Sequence, residues 1–131
     1  MTVAIKLGVN GDRLNQSLDD LAQIGSLGNG GICRLAFSQE DIQGRELVRR
    51  WMLQAGLEVR LDTAGNMIGR LPGKLDRPAI ATGSHIDTVP CGGKFDGNLG
   101  VLAGIEVART LTENNIVLDH PFEVIVFTDE E

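Results

Sequence analysis

The residues most able to do chemistry lie in the second half of the sequence: His85, Asp87, Asp96, Glu130 and Glu131. Imidazole and carboxylate donors without a thiolate suit zinc, manganese or cobalt, and a carboxylate has two oxygens with which to bridge a pair of ions. Asp96, returned toward His85 by the turn-rich segment Gly92-Gly93-Lys94-Phe95-Asp96-Gly97, is the candidate bridge. Asp87 stands two residues from His85, where its carboxylate could accept the hydrogen of the imidazole nitrogen that faces away from a metal. Glu130 and Glu131 are adjacent carboxylates, which repel each other unless a cation is near or one holds a proton. One of the pair could ligate an ion while the other carries a proton between water and a leaving group, which is metal-assisted hydrolysis. Each residue also has a plain structural reading: a hydrogen-bonded histidine at a strand end, an aspartate capping a loop, a solvated acidic pair.

Other polar residues point elsewhere. His120, in Asp119-His120-Pro121, precedes a strand and so falls at the end away from the acidic pair. Cys91 lies inside the Asp96 segment, but a lone thiolate is an odd partner for imidazole and carboxylates. The glycines of Ser26 to Phe37 do not form GxxxxGK[ST], so this stretch reads as a connecting loop and not a phosphate cradle.

These residues need elements to bring them together. Leu14, Leu18, Leu21 and Ala22 recur at helical spacing between Asn10, an N-cap residue, and Gly25. Ser38-Gln39-Glu40-Asp41 reads as a capping box, followed by a helical face of Leu47, Val48, Trp51, Met52 and Ala55 and by Gly56 as C-cap. Leu57, Val59 and Leu61 alternate with charged residues, and Gly65-Asn66 turns the chain into Met67 to Leu71, predicting a hairpin. Ala79 to Gly83 is a short apolar run, Val101 to Leu111 is helical in period, and Phe122 to Thr128 is β-prone. That is a strand, helix, strand unit, whose parallel strands present ligands beyond their carboxyl ends. His85 and Asp129-Glu130-Glu131 fall at that rim.

Composition excludes several alternatives. The 131 residues are 42% apolar and carry a net charge of −6, which supports a buried core and disfavours nucleic acid and anionic membrane surfaces as partners. No window approaches the ~18 consecutive apolar residues of a membrane span, and Met1 to Asn10 lacks the apolar core of a secretory signal. Cys33 and Cys91 stand far apart without a CxxC pair and read as reduced thiols. The expected location is the cytosol.

Gly83-Ser84-His85-Ile86-Asp87-Thr88-Val89, Gly92-Gly93-Lys94-Phe95-Asp96-Gly97 and Phe127-Thr128-Asp129-Glu130-Glu131 together resemble the N-carbamoyl-L-amino-acid hydrolases and allantoate amidohydrolases, of the dinuclear-metal aminoacylase and carboxypeptidase superfamily. Ile24-Gly25, Gly30-Gly31-Ile32, Arg34-Leu35-Ala36, Trp51-Met52 and Ala55-Gly56-Leu57 extend the resemblance over essentially the whole chain. It implies an α/β fold, the N-terminal part of a zinc-exopeptidase-like catalytic domain with a mixed sheet and flanking helices. It further implies two divalent metal ions (Zn, Mn or Co), with His85 on one, Glu131 on the other, Asp96 bridging, Glu130 as general acid/base and Asp87 orienting His85. The peptide bond after the bridging aspartate, here Asp96-Gly97, is expected to be cis.

The family's members are much longer, supplying two further histidine ligands and an inserted lid domain that mediates dimerisation. Residues 1–131 are therefore expected to be the N-terminal portion of the catalytic metal-binding domain, without its remainder or the lid. The implied activity, hydrolysis of an N-carbamoyl amino acid or ureide by a homodimer, is expected of the longer parent and not of this chain alone. Two rival readings are an aminoacylase or peptidase of the same superfamily, and a non-catalytic domain that self-associates through an exposed final strand.

Overall fold

A computed structural model describes residues 6–131. Met1 to Ile5, half of the stretch read as lacking a secretory core, lie outside the described residues. The first helix, α1 (Gly11–Ala22), starts at Asn10, whose side chain accepts from the Arg13 amide. The second, α2 (Gln39–Gln54), starts at Ser38, which accepts from the Asp41 amide. The reciprocal half of the expected capping box is displaced by one residue: the Asp41 carboxylate accepts from Phe37 N at 3.0 Å. Gly56, at φ +88°, follows α2 in the left-handed region expected of a C-cap glycine.

Strands β1 (Glu58–Leu61) and β2 (Met67–Leu71) form the predicted hairpin, with Glu58 opposite Arg70. Then β3 (Ile80–His85), α3 (Asn98–Glu113) and β4 (Phe122–Phe127) form the strand, helix, strand unit. Its strands are parallel, from Ile80 opposite Phe122 to His85 opposite Phe127. The strand predicted to end at Gly83 thus runs on to His85, because pairing with β4 continues. The mixed sheet has the order β1-β2-β4-β3. The final strand is therefore central, hydrogen-bonded on both sides, and cannot be the exposed edge that self-association would need; the edge strands are β1 and β3.

Helices α2 and α3 cover one face of the sheet: Met52 lies against Gly69, and Val124 against Gly104. A single core joins Leu18 and Leu21 of α1, Val48 and Met52 of α2, Val101 and Ile105 of α3, and Val124 and Val126 of β4. Arg13 of α1 is clamped to Glu106 and Glu113 of α3, and Glu106 is fully buried. The opposite face is mixed: Glu123 takes a 2.8 Å hydrogen bond from Arg70, beside Ile68, Ile125 and the exposed Phe127. No helix among the described residues is long and apolar enough to cross a membrane. Cys33 and Cys91 are free thiols.

Candidate metal centre

The parallel register delivers His85 and the segment after Phe127 to one rim of the sheet, as the strand, helix, strand reading requires. His85 is buried, with Nδ1 2.9 Å from the Asp87 main-chain oxygen. A carbonyl only accepts, so Nδ1 carries a hydrogen, and Nε2 is the nitrogen turned toward the acidic residues. Around Nε2 stand Glu130 Oε2 at 3.4 Å, Asp96 Oδ1 at 3.9 Å and Glu131 Oε1 at 4.0 Å. Ligand atoms of His85, Glu130 and Glu131 all lie within 4.8 Å of one another. The structure thus brings together the four residues His85, Asp96, Glu130 and Glu131, with Glu130 nearest the imidazole.

Asp87 acts differently from the expectation. Its carboxylate is 3.7 Å from Nδ1, while its main-chain oxygen takes the imidazole hydrogen. The carboxylate is committed instead to the Glu131 amide, which donates to Oδ2 at 3.0 Å. Asp87, itself buried, therefore orients His85 through the main chain and anchors Glu131 through the side chain.

The expected cis bond is also absent. Asp96-Gly97 is trans, and the reversal is made by Gly97 itself, at φ +67° and ψ −50°. The Asn98 amide donates to Asp96 O at 2.7 Å, closing a three-residue γ-turn of the rare, strained hand that glycine tolerates. A β-carbon at Gly97 would fall 2.5 Å from His85 O and 2.6 Å from His85 Nε2, so the turn packs directly on the imidazole.

Three bracing residues were not singled out from the sequence for this role. Asn66, in the hairpin turn, accepts from Thr128 N at 2.9 Å and so fixes the start of the acidic segment. Arg34 is fully buried and reaches Ile86 O and Asn98 Oδ1, at 2.7 and 3.0 Å. Asn98 passes the connection on to Lys94 O. The available signal was modest: an asparagine in a turn, and an arginine within an otherwise apolar Arg34-Leu35-Ala36 stretch. His120 lies away from the centre, with Nδ1 2.8 Å from Pro78 O, as its position before β4 predicts.

The donor set fits a divalent cation. Among the described residues no lysine or arginine pairs with Asp96, Glu130 or Glu131, and the imidazole turns Nε2 toward all three. Partial burial, with the Asp96 carboxylate, holds the Glu131 carboxyl above its ordinary range, while His85 opposes the shift. Crowded acceptors without a donor are unfavourable unless a cation or proton lies between them.

Residues 81–131 match the family model described as Peptidase family M20/M25/M40. The chain is 48% identical over 124 residues to the N-carbamoyl-L-amino acid amidohydrolase of Geobacillus stearothermophilus, covering 94% of this chain and 30% of that protein. It is 38% identical over 127 residues to the allantoate amidohydrolase of Bacillus subtilis strain 168, covering 96% and 31%. The crystal structure of a hydantoinase/carbamoylase family amidase from Burkholderia multivorans superposes with a TM-score of 0.94 at 46% identity, over 95% of this chain and 31% of that one. The chain spans about 30% of the length of the curated relatives it matches. In sequence and in fold, the chain is similar to the N-terminal part of N-carbamoyl-L-amino-acid amidohydrolases and allantoate amidohydrolases.

Proposed function

We propose that the complete protein carrying this sequence hydrolyses a carbon-nitrogen bond of an N-carbamoyl amino acid or of a ureide such as allantoate, at a centre of two divalent ions of the zinc, manganese or cobalt kind. The observation that carries this reading is the convergence of an imidazole nitrogen and carboxylate oxygens, 3.4 to 4.0 Å away, on one point of the sheet rim. The relatives' names supply the bond type, since the ligand geometry by itself is equally suited to an aminoacylase or peptidase. In this reading residues 1–131 are the N-terminal portion of the catalytic domain, and the working protein is a cytosolic homodimer.

The residues divide the work. His85 and Glu131 would each hold an ion, with Asp96 shared between the two. Such ions, when bound, polarise the scissile carbonyl and acidify water. Glu130, on the open side of the centre with its side chain 54% exposed, takes the proton from water and returns it to the leaving nitrogen. Asp87 keeps the His85 hydrogen on Nδ1 and holds the Glu131 main chain in place.

The test is a comparison of N-carbamoyl amino acids, allantoate and N-acetyl amino acids as substrates of the complete protein, before and after chelation. The expected result is metal-dependent turnover of the carbamoyl or ureide compounds, with Glu130→Gln slower by about 100-fold or more while metal is still bound. Preference for N-acetyl substrates would move the assignment to an aminoacylase. Full activity of Glu130→Gln would end the proposed proton transfer.

A further inference from the structure

Arg34 sits in the loop between α1 and α2, far in sequence from every candidate ligand, and is fully buried. A buried guanidinium is costly, and an apolar side chain of similar volume commonly serves packing at least as well. What the guanidinium does here can be followed bond by bond. Nη1 donates to Leu21 O at 2.9 Å and to Ile24 O at 2.7 Å, closing the end of α1. Nε donates to Ile86 O at 2.7 Å, the carbonyl between His85 and Asp87. Nη2 donates to Asn98 Oδ1 at 3.0 Å, and Asn98 Nδ2 donates in turn to Lys94 O at 3.1 Å. The Arg34 main chain pairs with the same turn: its amide donates to Thr88 Oγ1 and its carbonyl accepts from Thr88 N, each at 2.8 Å.

Two of these bonds end on the two segments that carry His85 and Asp96. The planar fork has a fixed angle between its donors, so it ties Ile86 to Asn98 at a set separation. Capping α1 needs only Nη1. Gly44 of α2 leaves room for this placement, since a β-carbon there would lie 2.9 Å from Arg34 Cδ.

We propose that Arg34 is a positioning residue of the metal centre: its guanidinium locks the His85–Asp87 turn to the Asp96–Asn98 turn and thereby sets how far the Asp96 carboxylate stands from His85 Nε2. This rests on the reading of His85 and Asp96 as metal ligands. Arg34 touches no ligand side chain; it acts through the main chain at Ile86 and through Asn98. Lysine keeps the charge but lacks the fork, so Arg34→Lys removes the geometry selectively. Asn98→Ala cuts only the arm toward Asp96 and leaves the other three guanidinium bonds in place.

The experiment is a Co(II) titration of the complete protein, read by the visible absorption of bound Co(II), for wild type, Arg34→Lys and Asn98→Ala, with circular dichroism to establish folding. Expected are Co(II) affinities lower by about 10- to 100-fold in both variants, the usual range for losing an outer-shell partner, and a changed band shape that reports altered coordination. A purely structural Arg34 would lower the melting temperature and leave affinity and band shape of the folded variants unmoved, which overturns the proposal. If Arg34→Lys does not fold, Asn98→Ala alone decides by the same criterion. A wild-type protein that binds no Co(II) overturns the metal reading and this proposal with it, whereas wild-type binding matched by both variants overturns this proposal alone.

Discussion

Replacing Gly97 by alanine perturbs the centre at its tightest point without replacing any ligand residue. Two costs add. The γ-turn holds Gly97 at φ +67°, where a β-carbon costs about 1–2 kcal/mol. The new methyl would also lie 2.5 Å from His85 O and 2.6 Å from its Cε1 and Nε2. Neither neighbour yields freely, because the carbonyl belongs to a paired strand and the ring is pinned through Nδ1 to Asp87 O. Overpacking of this kind costs about 1–3 kcal/mol, so the substitution is expected to destabilise the protein by about 2–5 kcal/mol. Relief by tilting the imidazole would carry Nε2 away from the three carboxylates, and so weaken metal binding in whatever fraction remains folded. Urea unfolding measures the first effect, and titration with Mn(II) or Zn(II) the second. A Gly97→Ala protein with wild-type stability and wild-type metal affinity would refute the turn geometry and the packing of this loop on His85.

Three further outcomes follow from the structure. Glu106→Gln keeps the shape of a fully buried side chain but removes the charge that holds Arg13; because Arg13 is part exposed and retains Glu113, the loss expected in urea unfolding is about 1–3 kcal/mol. The Asp62 carboxyl is held below its ordinary 3.8, chiefly by the Asn66 side-chain amide. Its contribution to stability is therefore present above that ordinary value and fades as the pH falls through the lowered one, so Asp62→Ala should lower the melting temperature at pH 7 and match wild type in strong acid. A divalent ion at about 100 times its dissociation constant should stabilise the complete protein by about 2.7 kcal/mol, visible as a raised melting temperature that chelation reverses.

Much of this architecture was legible from periodicity, because local pattern governs local structure. The faces Leu14-Leu18-Leu21 and Val48-Met52-Ala55 bury where they were expected to, and Gly65-Asn66 turns the hairpin. The position of β4 was not legible. Hairpins and crossovers say which strands can pair, but the insertion of β4 beside β2 is a long-range antiparallel match between Met67 and Val126 that no nearby residue signals. Arg34 was recognised only as part of a resemblance, since arginine is ordinarily a surface residue and its burial depends on acceptors contributed by Leu21, Ile24, Ile86 and Asn98. The gathering of His85, Asp96, Glu130 and Glu131 followed from parallel strands. The role of Asp87 did not, because choosing between its carbonyl and its carboxylate as the partner of His85 requires knowing that the carboxylate is already taken by the Glu131 amide.

That distinction bears on how such a centre is held together. Parallel pairing of β3 with β4 fixes His85 and the acidic segment along the strands, but it says nothing about their approach above the rim. That approach is opposed by repulsion among Asp96, Glu130 and Glu131, so bonds that do not involve the ligand side chains must hold the main chain in place before any metal ion arrives. The bonds that do so are amide or guanidinium donors to main-chain or neutral acceptors, apart from the single charged acceptor at Asp87. Two of the braces, Arg34 and Asn66, come from outside the 81–131 span that matches the family model. The ligands are thus encoded in one segment and part of what sets their geometry in another. Residues 80–131 alone would keep every candidate ligand named here, with Asp87 and Asn98, but would lose the bonds from Arg34 and Asn66 that help bring the ligands within reach of one ion.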